Sequence, residues 1–273
     1  MKTLLVNCEL GQSNALVLAT ASNFAERFQM RVIGTAISQP MQMMYGDYYI
    51  SAEAVDEDIK EVERKKTAAE QEFRQAFASR ANQLEWRPAT IFASTAGHIA
   101  QEARAADLVM TGMPALATQG GLRQLDMGDL VLQAGRPVLI VPGHPCSTNF
   151  DHVLIAWKDA REARRATLDA LPLLKKAARV TVVEIAPDSH LTEARNNLAE
   201  VSHWLKMHGV NAETFAIKSS GHDANALQAI AQQEGADIVV AGAYGHSRLR
   251  EWAFGGFTSE LMQPTQRCSF VSH

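Results

Sequence analysis

Short apolar runs alternate along this chain with longer amphipathic stretches, and the spacing predicts alternating strands and helices. In the second half the runs are Val153–Trp157, Val180–Ile185, Glu213–Ile217, Ile238–Ala241 and Ser269–Ser272. They are short, rich in Val and Ile, and apolar on consecutive residues, as strands covered on both faces of a parallel sheet must be. Between the first two runs lies "DAREARRATLDALPLLKKA", where Asp159 and Glu162 have capping-box spacing, with Asp in place of the usual Ser or Thr. A later helix starts after Asp223, carries Leu227, Ile230 and Ala231 on one face, and stops at Gly235, a left-handed cap. In the first half, Ile59, Val62, Ala69, Phe73 and Phe77 form an apolar stripe on a long charged helix. Strands and helices alternating at this spacing predict an α/β fold built on open, doubly wound sheets.

The pattern occurs twice. "AADLVMTG" (105–112) echoes "GADIVVAG" (235–242) at an offset of 130, and "STAGH" (94–98) echoes "KSSGH" (218–222) at 124. "RVIGTAI" (31–37) matches "RVTVVEI" (179–185) at 148, and "TLLVNCE" (3–9) matches "HVLIAWK" (152–158) at 149. The order of the blocks is the same in both halves, so the chain reads as a duplicated domain. The first half has an insertion around "QPMQMMYGDYYISAEAVDED" between its second and third strands. "VPGHPCSTNF" (141–150), rich in Pro and Ser, is the natural joint. The expected domains are 1–143 and 150–273.

Composition narrows the function classes. Apolar residues make up 47% and charged residues 21%, with a net charge of −4. Residues 1–146 carry 13 basic and 16 acidic side chains, the remainder 13 and 14, so no basic face is present for a nucleic-acid backbone. No apolar run reaches the roughly 18 residues that span a bilayer. The N-terminal run reads as a first strand and not as a leader, and the expected location is cytoplasmic. Cys8, Cys146 and Cys268 are few, odd in number and far apart, and read as buried or incidental thiols and not as a redox pair.

The candidate chemistry lies in "GAYGHSRLREWAFGGFT" (242–258), directly after the run "ADIVVA". In a doubly wound sheet this loop lies at the carboxyl edge of the strands, where ligands bind. Its spacing is Gly242-x2-Gly245-x9-Gly255, followed by Gly256, Phe257 and Thr258. Glycines let backbone amides approach a phosphate closely, and His246, Ser247 and Arg248 add donors. Thr258 or Ser259 can cap the next helix, whose N-terminus favours an anion.

This motif, the "ADxxVxG" strand before it and the closing "RPVLIVP" (136–142) resemble the universal stress protein family. Because the resemblance runs through both halves, it is to the tandem members. It implies two flavodoxin-like domains, each with a five-stranded parallel sheet, paired through their last strands as an internal pseudo-dimer. Those strands would be Val138–Val141 and Ser269–Ser272, and a further homodimer is compatible with this arrangement. It also implies a bound adenine nucleotide, ATP or a relative, with or without Mg²⁺. Phosphates and ribose would meet Gly242, Gly245, Gly255 and Gly256, and adenine would sit near Ile185 and Ala186. The sequence departs from the family pattern at two places. Gly256 replaces the Ser or Thr that follows the third glycine, and Lys158, with Asp159 next to it, stands where an Asp ends the first strand. Lys158 can contact a phosphate as a point charge, whereas Asp159 is better suited to cap its helix.

The first half departs further. Ala115 and Gln124 replace two motif glycines, Pro114 removes an amide donor, and Asp126 and Asp129 add negative charge. One nucleotide site per chain, in the second half, is the expectation. His98 and His222 each follow a glycine and read as helix-start residues. No nucleophile elbow, HExxH or CxxC motif is present. The leading functional reading is a nucleotide-binding stress or signalling protein without committed catalysis. Two alternatives stand beside it: an interaction module that binds no nucleotide, and a slow nucleotide phosphate hydrolase.

Overall fold

The computed structural model describes residues 1–39, 52–113, 125–243 and 267–273. They divide into two units, Met1–Ala134 and Gly135–His273. The first unit runs β1 (Thr3–Cys8), α1 (Ala15–Phe28), β2 (Arg31–Ser38), α2 (Ala52–Ala76), β3 (Leu84–Trp86), β4 (Ala89–Thr90), α3 (Thr95–Glu102), β5 (Leu108–Gly112) and α4 (Met127–Gln133). Its sheet has the order β3–β2–β1–β5, every pair parallel, with β4 continuing beside β2 after β3 ends. Pro88 separates β3 from β4. Lacking an N–H it cannot join a ladder, and it is tolerated on this outer strand.

The apolar stripe of α2 is buried only at its C-terminal end. Ala69, Phe73 and Phe77 are in the core, while Ile59 is 53% exposed. Phe73 packs against Phe77 and Trp86 with tilted rings, centroids 5.1 and 5.2 Å away. Gly34 of β2 lies beneath this aromatic group, where a Cβ would come within 2.7 Å of both Phe73 and Trp86.

The second unit runs β6 (Val138–Val141), β7 (His152–Trp157), α5 (Arg161–Leu174), β8 (Arg179–Ala186), α6 (Leu191–Met207), β9 (Glu213–Lys218), α7 (Asp223–Gln233), β10 (Ile238–Gly242) and β11 (Cys268–Ser272). Its order is β6–β11–β10–β7–β8–β9. All neighbours are parallel except β6 and β11, an antiparallel ladder that pairs Val138 with Val271, Leu139 with Phe270 and Ile140 with Ser269. The fold is therefore α/β with a mostly parallel sheet, and each strand expected in this half lies within one residue of its predicted bounds.

Helix α7 packs on one face of this sheet through Leu227 and Ala231, against Leu154, Val183, Val239 and Ala241. It ends as expected, with Gly235 at φ +67. The start of α5 corrects the sequence reading. The residue before the helix is Ala160, with no side-chain cap, and the Asp159 carboxylate is instead bound by Arg164. With the helix entered one residue later than expected, Glu162 no longer has capping-box spacing to its cap. Its side chain is buried, and its carboxylate accepts from Arg161 at 3.0 Å.

One device appears in both units at the amino edge of the sheet. Asp107, just before β5, accepts from the backbone amides of Lys2 and Thr3, the latter at 2.9 Å, and returns its own amide to the Thr3 carbonyl at 2.9 Å. Asp237, just before β10, accepts from Asp151 and His152 at 2.8 and 2.9 Å, and its amide donates to the His152 carbonyl at 2.9 Å. Each carboxylate thereby fixes the register of its strand against the neighbouring one, β5 against β1 and β10 against β7.

Candidate functional site

The site is built on the carboxyl edge of the second sheet. Gly242, the first glycine of the motif, is the last residue of β10. A Cβ there would stand 2.4 Å from the Glu162 carbonyl carbon and 2.5 Å from the Ala163 amide nitrogen. Only glycine lets β10 reach the first turn of α5 so closely, because backbone cannot move aside as a side-chain tip can. At the matching position in the first unit, Gly112, a Cβ would meet only Val17 Cγ2, at 3.0 Å.

A row of side chains crosses the sheet at this level. Ser272 pairs with Gly242. One step beyond the Ala241–Ala156 pair, Gly242 lies beside Trp157, which in turn pairs with Glu184. Side chains alternate between faces along each strand. Since Ala156, Val183 and Ala241 face α7, Trp157, Glu184 and Gly242 face the other way, toward the side of α5 and α6.

Trp157, Glu184 and Ser272 are all more than nine-tenths buried. Trp157 Nε1, Glu184 Oε2 and Ser272 Oγ each lack a hydrogen-bond partner among the described residues. Buried polar atoms are normally paired, and an orphan costs about 1–3 kcal/mol. Three on one row, at the edge where such folds bind ligands, mark a place prepared for polar contacts from outside the described residues. Burial pushes the Glu184 carboxyl above its ordinary range, and the Asp159 charge adds to this while Lys158 opposes it. The Glu184 carboxyl oxygens accept, and the indole of Trp157 can only donate. Together they suit hydroxyl groups or the edge of a heteroaromatic ring.

The sequence candidates fall around this row. Lys158 and Asp159 follow β7 directly and are exposed. Ile185 points to the opposite face and packs against the α7 cluster, while Ala186 is buried at the end of β8. Gly245, His246, Ser247, Gly255, Gly256, Phe257 and Thr258 lie outside the described residues, as do Pro114, Ala115 and Gln124 of the first half. His222 immediately precedes α7, and His98 lies in the first turn of α3, whose Ser94 cap accepts from Gly97 at 3.3 Å. Sequence reasoning missed Trp157, Glu184 and Ser272. The available signal was a Glu in the otherwise apolar run "VTVVEIA".

The same edge of the first unit is arranged differently. Glu9, at the position matching Lys158, keeps Oε1 buried with no hydrogen-bond partner among the described residues, and burial pushes its carboxyl up to about 7. Asn14 ties this turn together, accepting from the Glu9 amide at 2.8 Å and donating to its carbonyl at 3.0 Å, while Glu72 accepts from the Asn14 amide at 3.0 Å. At the start of α4, Asp126 accepts from the Asp129 amide at 2.9 Å. A carboxylate thus already occupies the helix N-terminus that a phosphate would need.

Comparison with solved structures places this architecture among known folds. A universal stress protein from Archaeoglobus fulgidus superposes with a TM-score of 0.73 at 15% identity, over 99% of this chain and 95% of that one. A putative universal stress protein from Pseudomonas aeruginosa gives 0.65 at 16% identity, over 100% and 93%. A functionally unknown protein from Pseudomonas aeruginosa gives 0.65 at 15% identity, over 100% and 92%. At this identity the likeness is one of fold, and it extends along essentially the whole chain. No protein-family model matches the sequence, and no curated protein matches it.

Proposed function

We propose that the chain is a tandem universal stress protein that binds one adenine nucleotide, ATP first among them, in its second half, and has no committed catalysis. The observation that carries this reading is the row of orphaned polar atoms on Trp157, Glu184 and Ser272 beside Gly242, the residue on which the Gly-x2-Gly-x9-Gly motif begins. The glycine segment 242–258 would supply amides for the phosphates. Trp157 and Glu184 would meet the nucleoside, and Lys158 would offer a charge at the rim. The fold shared with universal stress proteins over both halves supports the same reading. The first half, with Glu9 and the Asp126 cap at the equivalent edge, serves as a structural partner. We place the junction of the two repeats at the antiparallel ladder of Val138–Val141 on β11.

Isothermal titration with Mg-ATP, ADP and AMP tests the proposal. The wild type is expected to bind with a saturable heat at one nucleotide per chain. Gly245→Val should abolish binding, and Trp157→Phe, which removes the indole N–H and leaves a smaller ring, should weaken it about tenfold or more. Absence of binding at millimolar nucleotide, or a stoichiometry of two, would sink the reading.

A further inference from the structure

Cys146 and Cys268 are 122 residues apart in sequence, yet their Sγ atoms lie 3.7 Å from one another. Both are free thiols. Cys146 sits in the segment between β6 and β7 and is partly exposed, while Cys268 opens β11 and is fully buried. The arrangement joins an accessible sulfur to a sheltered one at contact distance. Two incidental thiols, as the sequence suggested, would have no reason to meet.

We propose that Cys146 and Cys268 form an oxidisable dithiol that a peroxide closes to an intramolecular disulfide. In the first step the Cys146 thiolate attacks one oxygen of the peroxide. An S–O bond forms, the O–O bond breaks, and the other oxygen leaves as hydroxide or alkoxide, giving Cys146 sulfenic acid. In the second step the Cys268 sulfur attacks Cys146 Sγ and expels the oxygen as water, taking up the Cys268 proton. The two thiols lose two electrons and the peroxide gains two. The sulfurs must then close to about 2.05 Å, a movement of under about 2 Å, and Cys146 lies outside any strand, so its segment can make most of it.

The surroundings assign the roles. Cys146 is the partly exposed sulfur that a peroxide reaches, and its contact with the Cys268 sulfur lowers its pKa and favours its thiolate, although burial and the Asp237 charge oppose this. The same contact, with burial, raises Cys268 well above its ordinary value, so it waits as a thiol to resolve the sulfenic acid. Asp237, which opposes ionisation of both, is itself held by the amides of Asp151 and His152. Cys8 provides an internal control, since burial and the Glu72 charge push it up to about 12. The disulfide would tie the stretch joining the two repeats to the first residue of β11.

The full-length protein treated with equimolar hydrogen peroxide tests this, followed by alkylation, intact-mass measurement and peptide mapping. Two of the three thiols should disappear, with a mass loss of ~2 Da. A Cys146–Cys268 peptide should appear that dithiothreitol reverses. Cys8→Ser should behave as wild type. Cys146→Ser should keep Cys268 reduced, and Cys268→Ser should stop at a sulfenic acid that dimedone traps. Oxidation of wild-type Cys146 to sulfinic acid, or its linkage only to a second molecule, with Cys268 still alkylatable, would overturn the proposal. The wild-type masses decide the question even if a variant fails to fold, and the outcome does not depend on nucleotide binding.

Discussion

A carboxyl group at the end of a buried strand behaves according to what surrounds it, and Glu9 shows this at the scale of one residue. Its ordinary value is 4.5, and burial carries it to about 7. Between those values the folded protein keeps a proton that the unfolded chain has released, so stability falls as pH rises through the window and levels off above it. The difference corresponds to a few kcal/mol at most, on the order of 3. Denaturant unfolding at several values from pH 4.5 to 7.5 should show this decline in the wild type and not in Glu9→Gln. Equal slopes in the two proteins would assign the effect to other groups. The sequence pointed to the position of Glu9 through its match with Lys158, but not to its burial. That depends on Asn14 folding the turn back onto the strand end, a contact no periodicity reports. Glu184 was hidden for a related reason, since its neighbours in the ladder come from a strand more than twenty residues away.

At the scale of elements, the strands were legible because burial on both faces demands unbroken apolar runs. Helix starts were less so. Asp159 and Glu162 had capping spacing, but Arg164 captured the carboxylate, and α5 was entered one residue later. The glycines ending β5 and β10 looked equivalent in sequence and differ in what they face. Gly242→Ala would press a methyl against the α5 backbone and should cost about 2–3 kcal/mol. Gly112→Ala meets a Val17 methyl that can shift, and should cost under about 1 kcal/mol. Thermal and denaturant unfolding of the two variants, each against wild type, measures the contrast, and equal losses would refute it. The overall likeness of the halves was readable, whereas the force behind each glycine needed the helix beside it.

For the whole molecule, the sequence offsets reappear as structure: β1 and β7 differ by 149 at both ends, β2 and β8 by 148, and β5 and β10 by 130. The 244–266 segment, which carries most of the nucleotide motif, lies outside the described residues, so the candidate site rests on the strand ends that frame it. The ladder between β6 and β11 leads to a further expectation. Strand β11 is buried along its length, and a fragment beginning at Phe150 would lack β6 and leave that edge unpaired, a template for another chain. Light scattering should find the 150–273 fragment in larger assemblies than the 1–273 chain. A monomeric 150–273 fragment would contradict the edge argument. The paired aspartates, Asp107 and Asp237, give the sheet a division of labour along its own axis. At the amino edge both units keep the same clasp, Asp107 on Lys2 and Thr3, and Asp237 on Asp151 and His152. At the opposite edge one copy holds Glu9 and the other Lys158, with nothing in the clasp to oppose their divergence. Residues at one rim can therefore change while the clasp at the other rim holds the strands in place.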